Sequence, residues 1–240
     1  MIEFLDVSVV VPTATADRTS RSQTILRSVT ATFPEQRVAV LGANGSGKST
    51  MARLINALTL PSTGQVKVNG SDTRVASSEV RSQVGFLFAD ATAQVIMPTP
   101  VEDVAISLRR VGVKRADRTG RALEILDRFG LADQAFQPVH TLSGGQTQLL
   151  ALATMLALEP KALVCDEPTT RLDLYWRERL IEELLTLDTQ LVVVTHDLDF
   201  ATQFERGVVL DEANLVADGT GSDAVTDYRE LISAKHGSRS

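Results

Sequence analysis

The chain has 240 residues, of which 43% are hydrophobic and 22% charged, and its formal net charge at pH 7 is −6. This length and apolar content are enough for a sizeable core, and they exclude a short peptide or a disordered tail. The acidic balance gives no general electrostatic attraction to nucleic acid, although a local basic patch is compatible with it.

The cysteine content and the hydropathy pattern indicate where the protein works. The single cysteine, Cys165, has no partner for an internal disulfide, so we expect a reduced, cytosolic setting and a small buried side chain. No apolar stretch approaches the roughly 20 residues that cross a bilayer, and the first residues do not have the pattern of a signal peptide. Any membrane association is therefore expected to come through a partner.

The first third of the chain predicts strands around one helix. Alternating apolar residues start a strand at Ile2, which Pro12 is expected to end, and the polar residues 13–23 are typical of an exposed turn. Further strands are predicted over 24–33, which pairs back on the first strand, and over 37–41, 65–70 and 84–88. The predicted helix covers 51–58.

The middle of the chain changes to helices and the last third returns to strands. Helices are predicted over 101–111, 116–129, 144–158 and 174–187, and strands over 161–165, 190–195, 207–210 and 214–217. Alternation on this scale favours a largely parallel sheet that is covered on both faces. The sequence therefore predicts one α/β domain over 1–240, with an antiparallel β portion at its start and a helical subdomain, 89–160, inserted into a core formed by 1–88 and 161–240.

The strongest motif is the glycine-rich turn LGANGSGKST at residues 41–50, between a predicted strand and a predicted helix. Its glycines let the backbone close around a polyphosphate, so that N–H groups and the positive end of the helix point at the anion. Lys48 adds a mobile charge for the β- and γ-phosphates, and the Ser49 hydroxyl is a ligand for Mg²⁺. A glycine turn that only links strand to helix is the alternative. The expected nucleotide-binding residues here are Gly42, Ala43, Asn44, Gly45, Ser46, Gly47, Lys48, Ser49 and Thr50.

Two other predicted strands end in residues that suit phosphate chemistry. Asp166 and Glu167 follow a strand at the sheet edge where ligands bind, so Asp166 is placed to hold Mg²⁺ with Ser49. Glu167 can then orient or deprotonate the attacking water. The strand at 190–195 delivers His196 to the same edge, where its imidazole can hydrogen-bond the γ-phosphate and the water. The alternatives are an acidic pair that only opens a turn and a histidine with an ordinary structural role.

A second anion site is predicted at Ser143, Gly144, Gly145 and Gln146. Ser143 can cap a helix, and the two glycines leave its first amides bare. Because the first loop already encloses the γ-phosphate, this helix end can reach it only across an interface. Two chains closing on shared nucleotides are therefore expected, and a plain capped helix is the alternative.

Together these motifs resemble those of the ATP-binding subunits of ABC transporters, and the resemblance covers nearly the whole chain. Residues 42–50 look like the Walker A loop, 163–167 the Walker B strand, 142–146 the family signature, 172–173 the D-loop and 196 the switch histidine. The resemblance implies a P-loop NTPase core with ATP and Mg²⁺ as cofactors. It also implies a homodimer, or a heterodimer with a related ATPase, in which the signature of one subunit faces the γ-phosphate held by Lys48 of the other.

A narrower resemblance links residues 49–61, Gln94 and residues 98–105 to the energy-coupling-factor importers, possible biotin-type members included. These importers take up vitamins and transition-metal ions with a membrane coupling protein and a substrate-capture protein. The resemblance implies an Mg-dependent ATP hydrolase coupled to transmembrane transport, on the cytoplasmic face of a bacterial membrane. The alternatives are the ATPase of an ordinary ABC transporter, a soluble ABC ATPase of nucleic-acid or ribosome metabolism, and a regulatory module without hydrolysis.

Two positions depart from the family pattern. Where the family has a glutamine that reaches the metal and the water, this chain has Ala89, whose methyl group cannot coordinate magnesium or accept a hydrogen bond. Either Asp90 or Gln94 takes over part of that task, or hydrolysis is slow without the membrane partner. The aromatic residue that usually stacks on adenine is replaced by Val11, so looser recognition of the base is expected.

Charged residues are concentrated in an acidic segment and in a basic cluster. The segment from Asp90 to Asp103 is predicted to line the groove for the coupling helices of the partner, with Asp90, Glu102 and Asp103 as counter-charges for arginines; capping of the following helix is the alternative. A basic cluster is predicted to be a solvated helix face, with an anionic partner surface as the alternative. It consists of Arg109, Arg110, Lys114, Arg115, Arg118 and Arg121.

Overall fold

The computed structural model of the protein describes residues 1–14 and 20–237. The strands are β1 (Ile2–Ala14), β2 (Ser20–Phe33), β3 (Arg37–Gly42), β4 (Thr63–Val68), β5 (Ser71–Asp72), β6 (Val84–Leu87), β7 (Ala162–Asp166), β8 (Gln190–Val194), β9 (Arg206–Asp211) and β10 (Asn214–Gly219). An antiparallel sheet has the order β2-β1-β4-β5. A second sheet has the order β10-β9-β3-β8-β7-β6, in which β10 is antiparallel to β9 and the other pairs are parallel.

Helices cover the larger sheet and form most of the chain between β6 and β7. They are α1 (Lys48–Ile55), α2 (Ser77–Gln83), α3 (Pro100–Arg110), α4 (Arg118–Arg128), α5 (Gly144–Leu156), α6 (Leu174–Leu185), α7 (Leu198–Ala201) and α8 (Gly221–Gly237). The predicted α/β class, with an antiparallel β portion at the start and a mostly parallel sheet, is confirmed. Helices α3, α4 and α5 pack on one another where the inserted subdomain is expected; its bounds at 89 and 160 stay a prediction.

Successive side chains of the larger sheet supply two apolar cores, because they point to opposite faces of each strand. Ala39, Leu163 and Val193 belong to the core formed with the helices that follow β6. Val38, Val164 and Val192 belong to the other core, which α1 and the antiparallel sheet complete. The sheet is therefore buried on both faces, as its continuous apolar strands predict.

The order of the parallel strands positions the site. β3 and β7 flank β8, with Val40 and Asp166 both opposite Val194. Because neighbouring parallel strands end at the same edge, the glycine-rich loop, Glu167 and His196 all leave the sheet side by side.

The prediction that Pro12 ends the first strand is wrong. β1 continues through Pro12, which pairs with Ser22, and β2 already begins at Ser20. The pairing of β1 with β4 ends at Ser8, so beyond that point β1 pairs with β2 alone among the described strands, and a missing N–H is tolerated there. Residues 15–19 of the predicted turn lie outside the described residues. In the part of the chain that the structure describes, no helix is both long and apolar enough to cross a bilayer.

Candidate nucleotide-binding site

The glycine-rich loop between β3 and α1 winds around an open space, and its glycines are required sterically. Gly42 and Gly47 have φ of 145° and 109°, a region that side chains rarely adopt. A Cβ on Gly42 would lie 2.1 Å from the carbonyl oxygen of Leu210, and one on Gly47 would lie 2.6 Å from that of Ile25. The tight loop therefore depends on the absence of side chains at both positions.

Lys48 is the first residue of α1 and is almost fully buried. Its Nζ donates hydrogen bonds to the carbonyl oxygens of Gly42 at 2.7 Å and Ala43 at 3.0 Å. Burial lowers the pKa of Lys48, and the carboxylates of Glu167 and Asp166 oppose that shift. The ammonium group is thus held inside the curve of the loop, between its carbonyl groups and the two acids.

Ser49 and Asp166 lie together as a magnesium site would require. The Ser49 hydroxyl donates to Asp166 Oδ1 at 2.9 Å, and Asp166 is 7% exposed. Mg²⁺ prefers such oxygen ligands and takes one or two from the protein, with waters and phosphates completing the shell. Among the described residues no group of three or more acidic, histidine or cysteine side chains could hold a metal alone. The residues present therefore fit Mg²⁺ bound together with a phosphate.

Glu167 has a strained backbone and a half-satisfied carboxylate. Its φ is 54°, which is uncommon for a residue with a side chain and often marks a functional position. Oε2 accepts hydrogen bonds from Thr170 Oγ1 at 3.1 Å and from the backbone N–H of His196 at 3.2 Å. Oε1 is buried and accepts no hydrogen bond of good geometry from the described protein atoms, although His196 Nε2 lies 3.0 Å from it. This oxygen is suited to accept a proton.

His196 connects the acid to the glycine-rich loop. Its Nε2 lies 3.0 Å from Asn44 Oδ1, in hydrogen-bond geometry, and also 3.0 Å from Glu167 Oε1. The side chain is 42% exposed, so it faces the open space rather than the core. The imidazole therefore faces the cavity between Asn44 and Glu167.

These groups share one cavity of about 580 Å³. This volume is in the range of small-molecule sites, about 300–1,000 Å³. Lys48, Glu167 and His196 line the same space, as the sequence predicts. Sequence reasoning missed further lining residues, namely Gln23, Ile25, Thr170 and Arg171.

The signature residues form a separate feature at the start of α5. Ser143 Oγ accepts from the Gln146 N–H at 3.2 Å, and Gln146 Oε1 accepts from the Ser143 N–H at 2.8 Å, which is a capping box. The amides of Gly144 and Gly145 stay without acceptors inside the helix. None of these residues lines the first cavity. Gly144 lines a smaller cavity of about 100 Å³ beside it, together with Ala89 and Arg171, which line both cavities.

The structure shows how the segment after β6 is held. Ala89 lines the cavity, as its position in the motif predicts. Gln94 donates to the Phe86 carbonyl of β6 at 3.0 Å and accepts from the N–H of Phe88, the next residue after β6, at 3.2 Å, so both ends of its amide are used. Asp90 accepts from the Thr92 N–H and from Arg171 Nη1, the latter at 2.6 Å. Gln94 is therefore not placed to replace the missing glutamine, and Asp90 instead holds an arginine at the cavity.

The predicted acidic docking surface is wrong for Asp103. This carboxylate is 1% exposed and accepts hydrogen bonds from the Ile96 and Met97 N–H groups and from Thr154 Oγ1. Glu102 accepts a hydrogen bond from Thr99, the residue before α3, which favours the capping alternative for it. A groove of about 300 Å³ does lie beside Phe88 and Gln94, but its charged lining residues are two arginines, Arg81 and Arg110.

The base end of the cavity also differs from prediction. Val11, expected to take the place of an adenine-stacking residue, is 39% exposed, and among the described residues of the antiparallel sheet Gln23 and Ile25 on β2 line the cavity. An aliphatic side chain offers a base apolar contact without aromatic stacking. Cys165 is fully buried, and burial raises the pKa of its thiol, as expected for an inert small side chain.

This protein has the features of the P-loop nucleotide-binding class: the strand order, the glycine-rich loop and a strand that ends in two acidic residues. Residues 26–170 match the family described as ABC transporter. The chain belongs to this family, as an ATP-binding subunit.

Relatives and solved structures agree with this assignment. A Deinococcus radiodurans protein named only as an ABC transporter ATP-binding protein is 44% identical over 208 residues, covering 87% of this chain and 92% of that protein. The biotin transport ATP-binding protein BioM of Rhizobium etli is 42% identical over 207 residues, covering 86% and 92%. The structure of cbiO1 from Clostridium perfringens, described as part of the ABC transporter complex cbiONQ, has a TM-score of 0.79 at 25% identity and covers 97% of this chain and 93% of that one.

Proposed function

We propose that this chain is the ATP-hydrolysing subunit of an importer of the energy-coupling-factor type, for a vitamin such as biotin or for a transition-metal ion. It acts on the cytoplasmic face of a bacterial membrane with a membrane coupling subunit and a substrate-capture subunit. The observation that carries the enzymatic part is the shared cavity in which Lys48, Glu167 and His196 meet. The similarity to BioM and to cbiO1 supports the type of importer.

The proposed chemistry follows from the contacts of each side chain. The loop amides and Lys48 hold the β- and γ-phosphates, and Ser49 with Asp166 would hold Mg²⁺, which neutralises phosphate charge when it is bound. Glu167 accepts the proton of the attacking water at Oε1, because its other oxygen is already held by Thr170 and the His196 N–H. In this proposal the Nε2–H of His196, which meets Asn44 Oδ1 in the structure, turns to the γ-phosphate and the water when ATP is bound.

The signature residues act across a dimer interface in this proposal. Ser143, Gly144, Gly145 and Gln146 present bare helix amides, yet within one chain they lie outside the nucleotide cavity. A second copy or a related ATPase would bring them to the γ-phosphate, with the helical subdomain 89–160 carrying them. The structure of the cassette MJ0796, similar to this chain at 28% identity and a TM-score of 0.80, is described as dimeric and bound to ADP and Pi.

Glu167→Gln tests the enzymatic part. The amide cannot act as a base, so we expect Mg²⁺-dependent phosphate release to fall by about 10²–10⁴-fold. ATP binding should persist, and ATP should favour the closed dimer in light-scattering measurements. Glu124→Gln, on the exposed face of α4, is the matched control and should hydrolyse ATP at the normal rate. Normal turnover by Glu167→Gln would remove that residue from the role of base.

Purification from native membranes tests the type of importer. We expect a membrane coupling subunit and a separate substrate-capture membrane subunit to co-purify with the chain. Co-purification of two transmembrane domains of an ordinary ABC transporter, with no capture subunit, would contradict the energy-coupling-factor type. The proposed ATP hydrolysis would not be affected by that result. The Deinococcus radiodurans relative, whose name carries no solute, is compatible with either type.

A further inference from the structure

Arg171 lies where two loops of the nucleotide cavity meet. It follows β7 in the chain, whereas Asp90 follows β6, and these neighbouring strands are parallel, with Leu87 opposite Cys165. Both loops therefore leave the same edge of the sheet. Arg171 Nη1 lies 2.6 Å from Asp90 Oδ2, so an ion pair joins the two loops directly.

The surroundings of Arg171 suit an anion better than a simple surface tether. Arg171 lines the cavity together with Lys48 and Glu167, and its side chain is 66% exposed. Among the described residues that line the cavity, the lysine and arginine side chains are those of Lys48 and Arg171, and Lys48 already donates to two loop carbonyls. A guanidinium has five N–H donors, and the Asp90 bond uses one nitrogen, so the remaining donors are available to a phosphate.

Ala89 leaves part of the cavity wall without a polar group. Its methyl group lines the same cavity and supplies no polar contact, while the neighbouring Asp90 is directed to Arg171. Asp90 also accepts from the Thr92 N–H, which fixes the carboxylate within its turn. The Thr92 hydrogen bond and then the Arg171 hydrogen bond hold the pKa of Asp90 below its usual range, so the pair is charged at neutral pH.

We propose that Arg171 binds the terminal phosphate of ATP in the cavity of its own subunit, and that Asp90 positions the guanidinium for this contact. The pair supplies from the β7 loop the polar group that Ala89 does not offer. This inference rests on the proposed function and deepens it, because it assigns a residue that distinguishes ATP from ADP. Arg171 is the binding residue, and Asp90 is a positioning residue that acts through it.

The test measures equilibrium binding of Mg-ATP and Mg-ADP, and steady-state hydrolysis, with the full chain. For Arg171→Ala we expect ATP binding to weaken by about 10- to 100-fold, as for loss of a charge-assisted contact, while ADP binding changes less than about threefold. Arg171→Lys should recover part of the ATP preference, because it keeps the charge but not the planar fork. Arg121→Ala, which removes an exposed ion pair on α4, is the control and should change neither affinity.

Asp90→Asn separates positioning from a structural tether. We expect the KM for ATP to rise about three- to tenfold with kcat changed less than twofold, since the charge of Arg171 persists but its orientation is lost. Equal loss of ATP and ADP affinity in Arg171→Ala, or unchanged affinity for both, would overturn the inference. If Arg171→Ala folds poorly, Arg171→Lys and Asp90→Asn take its place. A wild-type preference for ATP in Arg171→Lys, together with a wild-type KM in Asp90→Asn, would then overturn the inference. Failure of the wild-type chain to bind ATP would instead overturn the proposed function.

Discussion

The first two residues of α5, Gly144 and Gly145, offer a matched pair of substitutions that tests the packing of the signature helix. Both have helical backbone, so alanine is compatible with either position and gains up to about 1 kcal/mol of helix propensity. Their surroundings differ. A Cβ on Gly144 would meet nothing within 4 Å, whereas one on Gly145 would lie 2.0 Å from Cγ and 2.2 Å from Cδ2 of Trp176.

The magnitude follows from that contact. Carbon atoms pack at about 3.5–4.0 Å, so the indole of Trp176 would have to withdraw by roughly 1.5 Å. Trp176 lies in the first turn of α6 and packs edge-on against Tyr175, which limits its movement. Overpacking of this kind costs about 1–3 kcal/mol, so we expect Gly145→Ala to lower the free energy of unfolding by that amount. At about 2–4 °C per kcal/mol, Tm should fall by about 2–12 °C.

Thermal and urea unfolding of the nucleotide-free chain, followed by circular dichroism, measures the difference. Gly144→Ala should be as stable as wild type or slightly more stable. Trp176 is the single tryptophan, so its fluorescence reports locally on the displaced ring in Gly145→Ala. The double variant Gly145→Ala/Trp176→Leu should lose less stability than the sum of the single variants, because the clash is gone. Equal stability of the two alanine variants, or additivity in the cycle, would refute this reasoning.

Two further predictions concern residues at the ends of β8 and β3, namely Asp197, which precedes α7, and Gly42. Burial alone would raise the pKa of Asp197, but its bonds from Arg177 and from the Phe200 N–H lower the pKa below its usual value. The ionised carboxylate therefore stabilises the fold above the unfolded-state pKa of about 3.9, and this stabilisation disappears as pH falls through the lower folded-state pKa. Asp197→Asn should cost about 1–3 kcal/mol in urea unfolding at pH 7, with a difference that is constant to about pH 5 and shrinks below pH 4; a difference that stays constant to pH 2 would contradict this. Gly42→Ala should cost at least about 3 kcal/mol, since its Cβ would meet the backbone of Leu210 and φ is strained, and a wild-type Tm would contradict that.

The sequence predicts the elements whose burial repeats along the chain. Strands β3, β7 and β8 are continuous apolar runs because both faces of the sheet are covered, and their positions were predictable to within a residue or so. The short helices α2 and α7 were not predicted, since seven and four residues are too few for a clear helical period. Helix α8 was not predicted either. Its buried residues lie near its start, so the rest of its 17 residues carries little apolar pattern.

The site was predictable where its chemistry is carried by neighbours in sequence. The loop at 42–50 places Lys48 beside Ser49, and a single strand delivers both Asp166 and Glu167. Arg171 and Asp90 were not predicted as a pair, because 81 positions separate them and only the register of β6 on β7 brings their loops together. The sequence shows that a charge is present, and only the packing shows which group it meets.

The polar residues in the segment after β6 suggested a docking surface, because the sequence does not show which groups they contact. The structure instead ties this segment to α5 and to the cavity: Gln148 on α5 donates to the Phe88 carbonyl, Thr154 on α5 donates to Asp103, and Asp90 holds Arg171. Removing the partners of a buried polar group such as Asp103 lowers the free energy of unfolding, so these bonds resist separation. A partner that displaces the segment must therefore either break them or move the signature helix and Arg171 together with it, since coupling is carried by contiguous contacts of this kind.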